Sequence, residues 1–378
     1  MQKEKIKIAF IIDEIFGPFA GTEKQIISLI KGIDDNRFEI ILCCLYYSEW
    51  FAKEFKICRS YELKIKSIFN LRSVVNLFKF VNFLKKEKVH IIQTFFHDSN
   101  IIGIISAKLA GVPIVVSSRR NLGYWQSKSN RIQIKILNRF VTKFLANSQS
   151  VKQTVHKNEG VDLSRIEVIY NGFDLPLIDY HCEELILNKR KEFGIDSNAI
   201  VGGVVANLRP VKRIDVLLRA LPLVLKQNPN FLLLVVGEGK ERKLLELLSE
   251  ELNIDDNVKF LGQRSDVLEI LQLCHVGILP SSSEGFSNSI IEYLAMGLPV
   301  VVTNVGGAQE VVSPENGILV IPDNSLALAD GINTIISLEN YCKFDKKRIM
   351  SKIIRDFNID LCVNKHERFY ENLFSYKL

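Results

Sequence analysis

The chain is 378 residues long, 47% hydrophobic and 24% charged, and carries a net charge of +6. That composition excludes a disordered chain, and that length exceeds one ordinary core and suits two domains of about 150–200 residues each. No apolar run reaches ~18–20 residues, so no transmembrane helix is expected.

The charge is uneven. Through Asp174 there are 27 Lys+Arg against 16 Asp+Glu, and the remainder has 22 against 27. A basic first half fits a surface that meets anionic phosphates or lipid headgroups, and an ordinary Lys-rich solvated surface fits it as well. The lysines are dispersed and no nucleic-acid module is recognisable, so no nucleic-acid partner is expected. The seven cysteines include the adjacent Cys43-Cys44 and no Cys-x-x-Cys, which is neither a zinc pattern nor a disulfide framework and suits free buried thiols in a reducing cytosol. The opening MQKEKIKIAFIIDEIF reads as a buried first strand rather than a signal peptide, because its apolar run is short and Asp13-Glu14 follow at once.

Short apolar runs alternate with helical stretches, the pattern of an α/β fold with parallel sheets. Ile6–Ile12 is the first strand, Gly17 to Thr22 a loop, Glu23–Gly32 a helix and Phe38–Leu45 a strand. The loop at Gly21 brings backbone N–H groups to a helix N-terminus, an anion site or a plain turn. Ser73–Lys86 is helical, with Val74, Leu77, Phe78, Val81 and Leu84 on one face, taken as core in preference to a membrane-docking face. Val89–Phe96 is a strand, and His97 at its end either orients an acceptor hydroxyl or is structural. After the helix Ser99–Ala110 and the strand Pro113–Ser117 come Arg119, Arg120 and Asn121, which hold an acceptor phosphate or are surface charge. Arg131–Val141 is a helix, and Phe144–Asn147 and Ile166–Tyr170 are short strands closing the first domain.

A charged connector, Glu183–Phe193, leads to a second set. Strand Ala199–Ala206 ends at Asn207-Leu208-Arg209-Pro210-Val211-Lys212-Arg213, cations at a strand end that suit a diphosphate. Ile214–Gln227 is a helix, Phe231–Gly237 a strand, Glu241–Leu252 a helix and Val258–Leu261 a strand. The turns Gly237-Glu238-Gly239 and Gly262 to Asp266 either approach a nucleotide base or are tight connections. Val267–Leu273 is a helix, and Val276–Leu279 runs into Ser281 to Glu310. There Glu284 precedes a helix that Ser287-Asn288-Ser289 can cap, and Glu292 lies within it. Gly297-Leu298-Pro299 stops that helix, Val300-Val301-Val302 is a strand, and Gly306-Gly307 opens a turn to Glu310. Ala327–Ser337 and Lys365–Phe374 are C-terminal helices.

The stretch Glu284-Gly285-Phe286 … Glu292-Tyr293-Leu294-Ala295-Met296-Gly297-Leu298-Pro299, with Gly306-Gly307 and Glu310, resembles the signature of retaining nucleotide-sugar glycosyltransferases of family 4, which have the GT-B fold. Weaker matches at Gly21-Thr22-Glu23, His97, Ala146-Asn147-Ser148, Val168 to Gly172 and Phe260-Leu261-Gly262 extend the resemblance along the whole chain. Four positions depart from it: Asn207 stands where many relatives have Arg, Ala20 where many have Gly, and Gln93 and Phe95 where many have His.

The resemblance implies two Rossmann-like domains facing across a cleft, with residues 1–180 binding the acceptor, 181–360 the donor, and a helix in 361–378 crossing back to the first domain. It implies that Arg209 and Lys212 bind the donor diphosphate, Glu292 the ribose, and Gly285, Phe286, Ser287 and Asn288 the phosphate and sugar, with Gly262 and Gly21 also near the donor. Glu284 and His97 would act at the chemistry, and Arg119 and Asn121 on the acceptor side. The donor is expected to be UDP- or GDP-linked, the acceptor lipid-linked or a cell-surface glycan, and the enzyme cytoplasmic with a peripheral contact to the inner membrane face through its basic first domain. No Asp-x-Asp pair occurs, and cations with a helix N-terminus would stabilise the leaving diphosphate without a metal or cofactor. Retention is expected by front-face attack. A catalytically silent partner subunit and a sugar-nucleotide epimerase are the competing readings, and Glu284, Glu292, Arg209 and Lys212 together disfavour both.

Overall fold

The computed structural model describes residues 4–17, 21–65, 70–123, 127–174, 183–337, 341 and 343–376, without the side chains of 128 and 129. The chain forms two units, one of Met1–Gly172 with Ile359–Leu378 and one of Phe173–Asn358. The division falls at 172/173, earlier than the expected 180, and the last helix returns to the first unit from Ile359.

The first unit runs β1 (Ile6–Ile12), α1 (Gly21–Gly32), β2 (Phe38–Cys44), α2 (Glu49–Glu54), β3 (Arg59–Glu62), α3 (Leu71–Glu87), β4 (Ile91–Thr94), α4 (His97–Ala110), β5 (Ile114–Arg119), α5 (Lys128–Leu137), β6 (Lys143–Ala146), α6 (Gln149–Glu159) and β7 (Ile166–Val168). Its strands lie in the order β3-β2-β1-β4-β5-β6-β7, all parallel. β1 is apolar on both faces because both are covered: Ile8, Phe10 and Ile12 enter one core, Ala9 and Ile11 the other.

The second unit runs α7 (Glu183–Glu192), β8 (Ile200–Val205), α8 (Ile214–Gln227), β9 (Phe231–Val236), α9 (Arg242–Glu251), β10 (Val258–Gly262), α10 (Val267–Leu271), β11 (Val276–Leu279), α11 (Asn288–Ala295), β12 (Val300–Thr303), β13 (Gly317–Val320), α12 (Ser325–Ile336) and α13 (Lys346–Phe357). Its parallel sheet has the order β10-β9-β8-β11-β12-β13.

The final helix, α14 (Ile359–Ser375), packs on α1 of the first unit. Its buried Tyr370 donates a hydrogen bond to Gln93 Oε1 at 2.6 Å, and Gln93 in turn donates to Ser118 Oγ at 3.0 Å. The approach to α1 is close: a Cβ on Gly32 would lie 2.7 Å from Val363 Cγ2. Glu367 is buried, accepts from the Asp34 amide at 2.8 Å and pairs with Arg37.

Several elements differ from the expected ones. Helices α2, α6 and α13 and strands β3 and β13 were not anticipated; they are short or bury few apolar side chains, as α6 does with Val151 and Val155 and α13 with Ile349 and Ile353. In α3 the buried residues are Ser73, Phe80, Val81 and Leu84, while Val74 and Phe78 are 38% and 55% exposed. Apolar residues occur on both sides of this helix, so helical periodicity alone does not choose which side faces inward.

Candidate functional site

In an open parallel sheet, ligands gather where neighbouring strands send their connections to opposite faces. Those neighbours are β1 and β4 in the first unit and β8 and β11 in the second. The segments singled out at Gly17–Gly21, His97, Arg209–Lys212 and Ser281–Ser287 follow these four strands.

In the second unit three loops interlock. The loop after β8 holds the loop after β11 through Ser282, whose amide donates to Val211 O at 2.9 Å. Lys212 Nζ meets Glu284 Oε1 at 2.5 Å, and Ser281 Oγ donates to the same oxygen at 2.7 Å. The loop after β12 closes on Gly285, whose carbonyl accepts from Gly307 N at 2.9 Å. Thr303 Oγ1, at the end of β12, donates to Ser281 O at 2.5 Å. Glu284 and its cation are therefore held on a cross-braced frame.

Helix α11 follows directly. Phe286 is buried against Phe357, with ring centroids 5.6 Å apart. Ser287 occupies the N-cap position but makes no side-chain cap hydrogen bond, contrary to the expected capping. Ser289 Oγ instead donates to Val205 O at 2.7 Å, tying the helix start to the end of β8. Asn288 begins the helix, half-buried, and its first-turn amides are not claimed by the cap hydroxyl. Glu292 is buried in the helix beside Tyr293, whose hydroxyl accepts from Val205 N at 2.7 Å. That ring fits only because position 277 is glycine: a Cβ there would lie 2.4 Å from it.

Of the three cations after β8, Lys212 pairs with Glu284, and Arg213 turns away to Asp215 and Asp323. Arg209 is exposed, and none of the described ion pairs uses it. Gly262 (φ +71°) accepts from Gly237 N at 2.8 Å, and a Cβ on Gly239 would lie 2.3 Å from Leu208 O, so both glycine turns brace the Arg209 loop. Arg264 and Asp266 form an ion pair at 2.6 Å and Lys189 joins it, which anchors α7. Glu310 is half-buried in the short helical turn that Gly306 opens.

In the first unit, residues 18–20 lie outside the described structure, and Gly21 begins α1. The amides of Phe16 and Gly17 donate to Glu23 Oε2 at 2.9 and 3.2 Å, so the front of this loop is held by a carboxylate. His97 is the first residue of α4. Burial pushes its imidazole below the ordinary range. It lines a cavity of about 220 Å³ with Asp13, Asn100, Arg119, Arg120 and Asn121. Asn121 Oδ1 accepts from Gly123 N at 2.9 Å, which shapes the turn after β5.

Arg119, expected on the acceptor side, lines this cavity with its guanidinium taken up by protein groups. Its Nε donates to Glu159 Oε1 at 3.0 Å, Nη2 to Glu159 Oε2 at 2.9 Å and to Asn138 Oδ1 at 3.0 Å, and Nη1 to Ser117 Oγ at 2.5 Å. Burial raises the Glu159 pKa, but the charge and hydrogen bonds of Arg119 outweigh it and hold that carboxyl below its usual range. This is an internal ion pair that ties β5 to α6.

The sequence reading passed over Asp13. Its Oδ1 accepts from Ser99 N at 2.8 Å, and burial raises its carboxyl to about 6. The available signal was its place, directly after β1 at the switch point.

Two family models divide the chain between them. "Glycosyltransferase Family 4" matches residues 19–176 and "Glycosyl transferases group 1" residues 186–354. The chain is 28% identical over 386 aligned positions to the UDP-Gal:alpha-D-GlcNAc-diphosphoundecaprenol alpha-1,3-galactosyltransferase of Escherichia coli, covering 97% of each. The crystal structure of HepE of Anabaena in complex with UDP-glucose shares the fold with a TM-score of 0.83 at 24% identity, over 97% of this chain and 99% of that one. A glycosyltransferase from Rickettsia africae shares it with a TM-score of 0.84 at 21% identity, over 98% and 99%.

Proposed function

This chain belongs to the nucleotide-sugar glycosyltransferases of family 4, and on that footing we propose that it transfers a hexose from a UDP-sugar to a lipid-diphosphate-linked sugar, with retention of anomeric configuration. The observation that carries the reading is the braced Lys212–Glu284 pair at the foot of α11, set in the part of the chain that matches the group 1 model. The acceptor class follows the full-length similarity to the Escherichia coli galactosyltransferase.

The chemistry separates charge. As the sugar–phosphate bond breaks, positive charge grows on the sugar and negative charge on the leaving diphosphate. Arg209, Lys212 and the N-terminus of α11 sit where that negative charge is countered, which removes the need for a metal ion. Glu292 takes the ribose hydroxyls and Glu284 faces the sugar near its reacting carbon. The acceptor hydroxyl attacks from the side the leaving group departs, and the departing phosphate oxygen accepts its proton. His97 orients that hydroxyl.

The first unit also suits a peripheral contact with an anionic membrane. Leu71, Val75 and Phe78 of α3 are 79%, 48% and 55% exposed, among Arg72, Lys79, Lys85 and Lys86. No helix of the described residues is long and apolar enough to cross a membrane.

The test incubates the protein with UDP-galactose, UDP-glucose or UDP-N-acetylglucosamine and a short-chain polyprenyl diphospho-N-acetylglucosamine. Transfer, or slow donor hydrolysis without acceptor, is expected, with both abolished in Glu292→Ala. Absence of UDP binding, hydrolysis and transfer would sink the reading.

A further inference from the structure

Arg119 ends β5 and Arg120 follows it, and the fold treats the two differently. Arg119 has its carboxylate, Glu159. Arg120 has none among the described residues. Its Nη2 donates to Asn171 Oδ1 at 2.6 Å, and its Nε is enclosed without a hydrogen-bond partner. Asn147 meets the backbone of Arg120, donating from Nδ2 to its carbonyl at 3.4 Å, and the Asn147 Oδ1 is likewise enclosed without a partner.

The titratable neighbours that the last helix brings to it are neutral. Cys362 and His366 of α14 lie close enough to feel the Arg120 charge. Burial keeps the Cys362 thiol protonated and the His366 ring uncharged at neutral pH. Burial pushes the Arg120 guanidinium down to about 10, so it remains a cation at neutral pH. An ion taken from water without a counter-charge costs several kcal/mol, and such groups cluster where a ligand completes them. Arg120 lines the same cavity as Asp13, His97 and Asn121, at the carboxyl ends of the strands where an α/β sheet receives ligands. Asp13 and Glu159 are the carboxylates that line that cavity; Asp13 takes the Ser99 amide, Glu159 is taken by Arg119, and neither forms a described ion pair with Arg120.

We propose that Arg120 is the anchor for the acceptor's phosphate: its guanidinium grips a diphosphate oxygen pair of the acceptor within the first unit. The proposal rests on the transferase reading for the identity of the acceptor. The planar fork of arginine matches two phosphate oxygens, and the ligand supplies the counter-charge that the protein omits. Arg119, one residue earlier, is excluded from this role by Glu159. Asn147 then holds the backbone of Arg120 and Asn171 its guanidinium.

The test titrates decyl diphosphate into the UDP-saturated protein by calorimetry, with UDP itself titrated separately. Arg120→Gln is expected to weaken decyl diphosphate binding by about ten-fold or more, the worth of one charged hydrogen-bonded contact, and to leave UDP binding unchanged. Arg120→Lys, which keeps the charge and loses the fork, is expected to fall between. Equal binding of decyl diphosphate to the wild type and Arg120→Gln overturns the proposal, as does absence of binding to the wild type. A parallel loss of UDP affinity in Arg120→Gln overturns it in favour of the donor diphosphate. Repeating the titration without UDP reads Arg120 even if the protein proves not to bind UDP, so the two readings fail separately.

Discussion

A Cβ on Gly306 would lie 1.8 Å from the carbonyl oxygen of Glu284. The two loops touch backbone to backbone, and Gly306 also sits at φ +55°, where side chains are strained. Gly306→Ala must push the Glu284 loop away. We expect it to cost about 1–3 kcal/mol of stability and to lower kcat/KM much further than that loss explains. Urea unfolding and donor hydrolysis, measured on the same preparation, check the split.

Lys212 is the only described ion-pair partner of Glu284. In the proposed donor role, Lys212→Ala takes a cation from the diphosphate, and it leaves Glu284 without its described ion pair. A loss of about ten- to a hundred-fold in UDP affinity is expected, roughly the worth of one or two charged hydrogen bonds. Lys212→Arg retains the charge and is expected to recover part of it. UDP calorimetry reads both variants.

Arg119→Ala strands a buried carboxylate, and about 3–5 kcal/mol of stability should go with it. Arg119→Met with Glu159→Leu removes both charges and is expected to be far milder than either single change. Chemical denaturation of the three variants checks the pair as structural. If Arg119→Ala unfolds like the wild type, the internal role assigned to it is wrong.

Stability should vary with pH through three groups. Burial holds His366 and His275 down at about 4 from an ordinary 6.5. The unfolded chain therefore takes up their protons first as pH falls, and a contribution fully present above 6.5 is lost between 6.5 and 4, up to about 3 kcal/mol per ring. Asp13 acts in the opposite sense, because burial raises it from 3.8 to about 6. Its contribution is present below 3.8 and is lost as pH rises through 6. Asp13→Asn should thus be more stable than the wild type at pH 7.5 by about 1–2 kcal/mol, after allowance for its partial exposure, and no more stable near pH 4. Urea midpoints of both proteins across that range measure the difference.

Much of this architecture was legible because backbone geometry writes itself into residue types. Gly297, Gly306 and Gly307 with Glu284 and Glu292 mark a loop–helix–strand–loop that few other residues can build, and the loops after β8 and β11 fell where strand alternation placed them. What stayed hidden depends on side. Arg119 and Arg120 are adjacent and chemically identical, yet only the three-dimensional positions of Glu159 and Asn171 separate an internal ion pair from an uncompensated cation. The inward side of α3 was hidden for the same reason: Val74 and Phe80 look alike in a periodic pattern. In sequence Asp13 only ends the opening apolar run; the amide that marks it out, Ser99 of α4, lies 86 residues away.

The bond between Tyr370 and Gln93 spans 277 residues. During synthesis, Phe173–Asn358 emerges as one uninterrupted piece and has every strand it needs before α14 appears. The unit that is made first lacks a wall of its core until the last helix leaves the ribosome. Domains usually fold in the order they are synthesised. Here that order is reversed for the finished state: the later unit can complete itself first, and the earlier one waits with Phe10 and Gln93 uncovered. A nascent chain stalled before residue 359 should expose that surface to chaperones, and loss of the C-terminal helix should unfold the N-terminal unit while sparing the other.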